Sequence, residues 1–114
     1  MANEFQLVEY TVSLMALNAV VKNQSGQLLR NDTLVFETLV EANWSKYLFA
    51  LSEIVAASGW YAGNFPTGYT TAGTFTYLIY NMAAGTAWAN RVYTGYAGRL
   101  QWSGIAEVFP GHWA

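Results

Sequence analysis

The ionisable side chains of this 114-residue sequence offer few combinations that could catalyse a reaction. Histidine occurs once, at His112, and cysteine is absent. A general base needs a fixed position and an orienting partner, and a residue close to the end of a chain seldom has either. One histidine without cysteine also cannot provide zinc-finger spacings, thiolate metal sites or a Cys–His pair. We therefore expect no catalytic centre and no metal or cofactor.

Glu37 and Glu41 form the one carboxylate pair whose spacing suggests catalysis. Glycosidases place two acids at a controlled separation on either side of the scissile bond. Here the first glutamate lies on a predicted strand and the second lies at its exit, where acidic side chains are usually solvated. We expect two solvated glutamates on the rim of the fold and a protein that is not an enzyme.

The composition indicates a surface that is poor in charge. Charged residues make up 11% of the chain, against roughly a quarter in an average soluble domain. Hydrophobic residues make up 54% and aromatic residues 17%. Because large exposed apolar patches lead to association, we expect an oligomer or a component of a larger assembly.

The distribution of charge and the N-terminal sequence argue against nucleic acid and membranes as partners. The net charge is -2, and the five basic residues are scattered rather than clustered: Lys22, Arg30, Lys46, Arg91 and Arg99. Nucleic-acid binding relies on a dense basic footprint, so we expect no nucleic-acid partner. Glu4 and Glu9 occupy the region where a signal peptide is positive, and we expect neither a secretion signal nor a membrane span.

Hydrophobic periodicity predicts the fold. Apolar residues alternate with polar or small ones in short runs separated by Gly, Asn and Ser, which is typical of antiparallel strands. The residues of Asn23–Gly26 favour a turn, and two short strands are predicted around Asn31 and Asp32. Residues 41–47 suggest a helical turn, and another strand is predicted through Tyr47, Phe49 and Leu51. About seven runs predict an all-β, Ig-like antiparallel β-sandwich that forms one domain over residues 1–114.

The segment 58–80 contains no charged residue and is rich in aromatics. We predict that it forms a hairpin of two adjacent strands, with Tyr61 and Phe65 on one strand facing Phe75 and Tyr77 on the next. The alternation from Thr74 to Tyr80 places apolar residues on both faces, as in a strand that is covered on two sides.

This segment resembles the G-x-Y-x-G-x-F-P … A-G-T-Y-T hairpin of many bacterial and viral Ig-like domains. The matching residues are Gly59, Tyr61, Gly63, Phe65 and Pro66 in the first half and Ala72, Gly73, Thr74, Phe75 and Thr76 in the second. The sequences NQSGQLL and RLQWSGIAEV extend a similarity to small structural proteins of tailed bacteriophages over residues 10–108. The resemblance implies a virion component: a capsid decoration, an adaptor, or a tail or fibre subunit.

The tryptophans provide the candidate contact residues. Trp60 and Trp102 lie in strand-like runs and are expected in the core or on a sheet face. The aromatic residues in predicted connections or in the tail are the candidates for contact with a partner: Trp88, Trp113, Trp44 and Tyr69. For Trp44, folding back over its own sandwich is at least as good an interpretation.

Two functions remain open on these observations. The first is a non-enzymatic virion protein that binds other copies of itself and capsid or tail proteins. In that case an exposed Trp88 would anchor an interface, and its loss would weaken assembly without affecting the fold. The alternative is a carbohydrate-binding module in which Trp88, Tyr69 and nearby tyrosines stack on a glycan.

Overall fold

A computed structural model describes residues 5–7, 17–54, 60–82 and 88–108 of the chain. The fold is all-β and its strands pair antiparallel, which confirms the predicted class. The nine strands of the described residues, β1 to β9, are Phe5–Leu7, Leu17–Lys22, Leu28–Leu29, Phe36–Glu37, Phe49–Ala50, Ser52–Glu53, Tyr61–Gly63, Gly73–Asn81 and Val92–Trp102. Two 3-10 helices, Glu41–Tyr47 and Trp88–Asn90, lie between strands, and the first of them is the predicted helical turn.

The strands form two sheets. The small sheet has the order β1-β7-β6, and the large sheet has the order β4-β3-β2-β8-β9, with β5 also paired to β2. The longest pairing joins β8 to β9 and contains a register shift between Leu78 and Tyr80. The arrangement is sandwich-like, and the finer Ig-like topology stays a prediction.

The main core lies between the two sheets. Alternate residues of β2 and β8, including Ala19, Val21, Tyr77 and Ile79, point into it and are buried, as the period of two predicts. Phe5 of the small sheet meets the ring of Tyr77 of the large sheet at 5.1 Å between centroids. Aromatic contacts therefore help to join the two sheets across this core.

The opposite face of the large sheet carries a second apolar cluster. Val20 and Leu28 are buried there beneath Tyr47 and Trp88, which the two 3-10 helices supply. Trp44, Leu48 and Tyr80 pack around this group. The prediction that β8 is covered on both faces is consistent with this second layer.

The turn at Asn23–Gly26 forms as predicted. The amide of Gly26 donates to the carbonyl of Asn23 at 3.1 Å, and Gly26 has a φ of 80°, which glycine adopts without strain. The Asn23 Oδ1 atom also accepts hydrogen bonds from the amides of Ser25 and Gln27. One asparagine thus satisfies most of the polar groups of the connection between β2 and β3.

Two sequence predictions about strand continuity were wrong. The run from Tyr47 to Leu51 is not one strand, because Tyr47 ends a 3-10 helix and the chain then leaves the large sheet at β5 and enters the small sheet at β6. The segment 58–80 is not a hairpin either. β7 pairs with β1 and β6, whereas β8 pairs with β2 and β9. The connection between β7 and β8 crosses from one sheet to the other.

Candidate interaction surface

The outer face of the large sheet is organised by the hydroxyl of Tyr47. This residue is fully buried, and its hydroxyl donates to the Oε2 atom of Glu37 at 2.5 Å while it accepts from the amide of Val40 at 3.0 Å. Asn43 also donates to Glu37, at 3.2 Å, and Arg30 forms an ion pair with it at 3.4 Å. These contacts fix the first 3-10 helix on the sheet.

The hydrogen bond from Tyr47 lowers the pKa of Glu37, with smaller contributions from Asn43 and Arg30. Burial, followed by the bond to Glu37, raises the pKa of Tyr47. At neutral pH Glu37 is therefore a carboxylate with several bound donors, which suits a structural acceptor better than a general acid. Glu41 lies exposed at the start of the helix. The expectation that both glutamates are solvated was wrong for Glu37, because it is half-buried and Tyr47, Asn43 and Arg30 bind its carboxylate. The expectation that the pair is not catalytic stays a prediction.

Arg91 is fixed against the aromatic cluster at the second 3-10 helix. Its guanidinium carbon lies 4.3 Å from the centroid of the Trp88 ring and 5.6 Å from that of Tyr80. The NH1 group of the same guanidinium donates to the carbonyl of Trp88 at 2.8 Å. Cation–π contact and this hydrogen bond hold the side chain in one orientation.

A pocket of about 240 Å³ opens beside this arginine. Its lining consists of Val20, Lys22, Gly26, Leu28, Leu39, Tyr80, Trp88 and Arg91. Two of these residues are basic and none is acidic. The pocket thus combines apolar walls with two positive charges.

The first half of β9 exposes large apolar side chains. Val92, Tyr93 and Tyr96 are 53%, 47% and 40% exposed. We call the group of these three side chains the β9 surface. Residues 92–98 contain no charged side chain, and β8 is the one described strand that pairs with β9. An edge strand presents unpaired backbone groups to a partner.

The other end of β9 is closed by the chain itself. The amide of Val108 donates to the carbonyl of Gln101 at 2.7 Å, and Trp102 forms a bridge with Glu107. The segment that follows β9 therefore occupies this part of the strand's outer edge. The edge left open, as far as the described residues define it, is the half that carries the β9 surface.

Of the predicted contact residues that the structure describes, Trp88 and Trp44 lie in one cluster, whereas Tyr69 packs against the main core. Trp88 is only 8% exposed, so the expectation of an exposed loop tryptophan was wrong: the ring packs between Tyr47 and Arg91. Trp44 is half-buried and folds back onto the same cluster, as its alternative interpretation predicts. Trp113 lies outside the described residues.

Tyr69 lies on the other side of the molecule from this cluster. It is half-buried and packs against the main core, and burial raises the pKa of its hydroxyl. Its carbonyl accepts a hydrogen bond from the indole of Trp102 at 2.7 Å. Trp102 is buried, as predicted, whereas Trp60 is half-buried.

The exposed apolar residues of β9 were not among the contact residues predicted from the sequence. Val92, Tyr93 and Tyr96 belong to a run that was treated only as the last strand. The signal that could have found them is the absence of charge from residues 92–98, because a solvated edge strand usually carries protective charges. Arg91 and Lys22 lie 69 positions apart in sequence, so their shared pocket had no local signal.

Comparison with protein-family models, curated proteins and solved structures finds no match to this chain. No group of three or more metal-ligating His, Asp or Glu side chains occurs among the residues that the structure describes. Within the same residues, no helix is long and apolar enough to cross a membrane. The geometry of the β9 surface and of the basic pocket is therefore the basis for any functional proposal.

Proposed function

We propose that this protein is a non-enzymatic structural subunit that works by assembling with copies of itself and with other proteins. One observation carries the proposal: the open half of the β9 edge exposes three large apolar side chains over seven residues without a charge. Natural edge strands usually avoid pairing through charges, proline or a cover. In the described residues this half-edge has no charge, proline or cover, and the irregular register opposite Leu78 and Tyr80 is its only such feature.

The size and type of these side chains fit an interface anchor. Stable interfaces bury about 800 Å² per partner and concentrate their binding energy in a few aromatic residues. Tyr93 and Tyr96 provide two such aromatics on this open edge, where the amide of Tyr96 donates to the hydroxyl of Thr94 at 3.3 Å. A partner strand could add to the sheet through main-chain hydrogen bonds while its side chains cover the tyrosines.

A virion of a tailed bacteriophage is the assembly that we propose for this subunit. The support is the similarity of the turns and aromatic residues of the sequence to small phage structural proteins, together with a chain poor in charge. The fold alone assigns no activity, since sandwiches serve many functions. A test is whether capsid or tail genes neighbour its gene, and whether their products bind the purified protein.

The assembly proposal can be tested by sedimentation equilibrium over a range of protein concentrations. We expect the wild type to self-associate and Tyr93→Lys or Tyr96→Lys to weaken association by about tenfold or more, because each places a charge in the contact. Ile105→Lys is the matched control, since Ile105 is 82% exposed but follows the closed end of β9. A wild type that stays monomeric and binds no capsid or tail protein contradicts the proposal. If Ile105→Lys weakened association as much as Tyr93→Lys and Tyr96→Lys, the interface would not be specific to the β9 surface.

A carbohydrate-binding module stays the alternative prediction, with less support from the side chains named for it. Sugar rings stack on exposed aromatic faces. Trp88 is almost buried with Arg91 over its ring, and Tyr69 packs on the main core.

A further inference from the structure

We propose that the pocket beside Arg91 is a binding site for a small organic carboxylate whose remaining part is apolar. The site adjoins the β9 surface, since the ring of Tyr80 in its lining lies 5.6 Å from the ring of Tyr93 between centroids. The proposal does not depend on the assembly function. The proposal rests on the charges, the hydrogen-bonding capacity and the size of the pocket.

The charges of the pocket are unbalanced within the described residues. Neither Lys22 nor Arg91 forms an ion pair there, and no acidic residue lines the pocket. Arg30 shows the contrast, because Asp32 and Glu37 both bind its guanidinium. Two uncompensated cations in one concavity attract an anion, although the whole chain has a net charge of -2.

Arg91 is prepared to bind a carboxylate. One of its terminal nitrogens is bound to the carbonyl of Trp88, and the ring of Trp88 supports its face. Its other N–H groups have no acceptor among the described residues. A guanidinium can bind a carboxylate through two parallel hydrogen bonds, and a side chain that is already ordered loses less entropy on binding.

The residues that line the pocket determine which chemical group can accompany the carboxylate of the ligand. Leu39 contributes exposed aliphatic surface, and Tyr80 contributes part of an aromatic ring. Val20 and Leu28 also line the pocket but are almost fully buried. The volume of about 240 Å³ is smaller than the roughly 300–1,000 Å³ of sites for drug-sized ligands. A ligand of the size of benzoate fits within this volume, and apart from the two cations the lining has few polar side-chain groups to bind the hydroxyls of a sugar.

The test is an NMR titration of the full chain that follows the indole N–H resonance of Trp88. Benzoate is the probe, and benzamide is the control of the same shape without charge. We expect benzoate to shift this resonance saturably with a Kd of about 1 mM, and benzamide to bind at least about tenfold more weakly. Glucuronate and inorganic phosphate are titrated in the same way to test an acidic sugar and a simple anion.

Variants separate the two cations. Arg91→Gln should weaken benzoate binding by about tenfold or more, because a charge-assisted bidentate contact is lost. Lys22→Gln should weaken it by about threefold, since Lys22 is exposed and its charge is screened. Lys46 is an exposed lysine on the first 3-10 helix and does not line the pocket, so Lys46→Gln should leave the affinity for benzoate unchanged.

Several results would overturn the proposal. The first is that benzoate causes no shift of the Trp88 resonance or a shift that does not saturate. The second is that benzamide causes the same shift as benzoate. The third is that both single variants, Lys22→Gln and Arg91→Gln, bind benzoate as tightly as the wild type. Tighter binding of glucuronate or phosphate than of benzoate would overturn the assignment of an apolar carboxylate. If Arg91→Gln fails to fold, Lys22→Gln and the comparison of benzoate with benzamide still decide the outcome.

Discussion

The rings of Phe65 and Phe75 stack with their centroids 5.9 Å apart and their planes within 11° of parallel, although they approach from different sheets. Phe65 follows β7 of the small sheet, whereas Phe75 lies on β8 of the large one. Tyr61 and Tyr77 are buried in the same core. The four aromatics predicted to face one another across a hairpin therefore meet across the sandwich and help to hold its layers together.

Replacing Phe75 by Ala should lower the free energy of unfolding by about 3–5 kcal/mol, because a buried ring that contacts Phe36, Phe65 and Tyr69 is lost. Chemical denaturation of the purified variant measures the change. Ile105→Ala is the control, since its side chain is 82% exposed and lies outside the β9 surface, so its loss should affect stability by less than about 0.5 kcal/mol. An unchanged unfolding midpoint for Phe75→Ala would contradict the stacking across the sandwich.

Replacing Trp88 by Ala should also destabilise the fold, by about 3–5 kcal/mol, because the indole is buried against Tyr47 and supports Arg91. This replaces the expectation from the sequence that the exchange weakens assembly alone. Thermal unfolding at a concentration where the protein is monomeric separates the two effects. A variant with the stability of the wild type but weaker association would restore the original interpretation.

The bond between Tyr47 and Glu37 should make stability depend on pH at the acid end. The pKa of Glu37 is lowered in the folded state, so its contribution is present above the unfolded value of 4.5 and is lost as pH falls through the lower, folded value. The midpoint of chemical denaturation should therefore decrease as the pH is lowered from about 7 to about 3.

Tyr47→Phe should weaken this dependence and cost about 1 kcal/mol at neutral pH, because the main donor to Glu37 is removed. The pKa of Tyr47 is raised, so its own contribution is present below 10.0 and is lost as pH rises toward the higher, folded value. Equal slopes for wild type and variant at acid pH would show that the bond does not control the titration of Glu37.

Gly98→Ala should destabilise the sandwich by about 1–3 kcal/mol through overpacking. Gly98 is paired with Tyr77 across β8 and β9, and an added Cβ atom would collide with the buried tyrosine ring. Ala97→Ser provides a control at the exposed neighbouring position. The unfolding midpoints of both variants measure the effect, and a Gly98→Ala protein as stable as the wild type would mean that the ring can move aside at little cost.

Features that depend on a few neighbouring residues could be predicted from the sequence. The turn at Asn23–Gly26 needs only the amide side chain of Asn23 and the positive φ of Gly26. The alternation of Phe75, Tyr77 and Ile79 toward one face needs only the geometry of an extended strand. The all-β class and the helical turn before β5 belong to the same category.

The candidate sites depended on tertiary structure instead. Whether β7 pairs with β8 is decided by competition: β1 and β6 pair with β7, and β2 and β9 pair with β8. Of these strands, β1 and β2 lie far away in sequence. The burial of Trp88 depends on Tyr47 arriving from another helix, and the pocket beside Arg91 depends on the pairing of both β2 and β9 with β8. Neighbouring residues and composition account for the local turns, the strand periodicity and the shortage of charge. Which aromatic rings are buried and which charges share a surface depends on contacts between distant segments, and those contacts exist only in the folded chain.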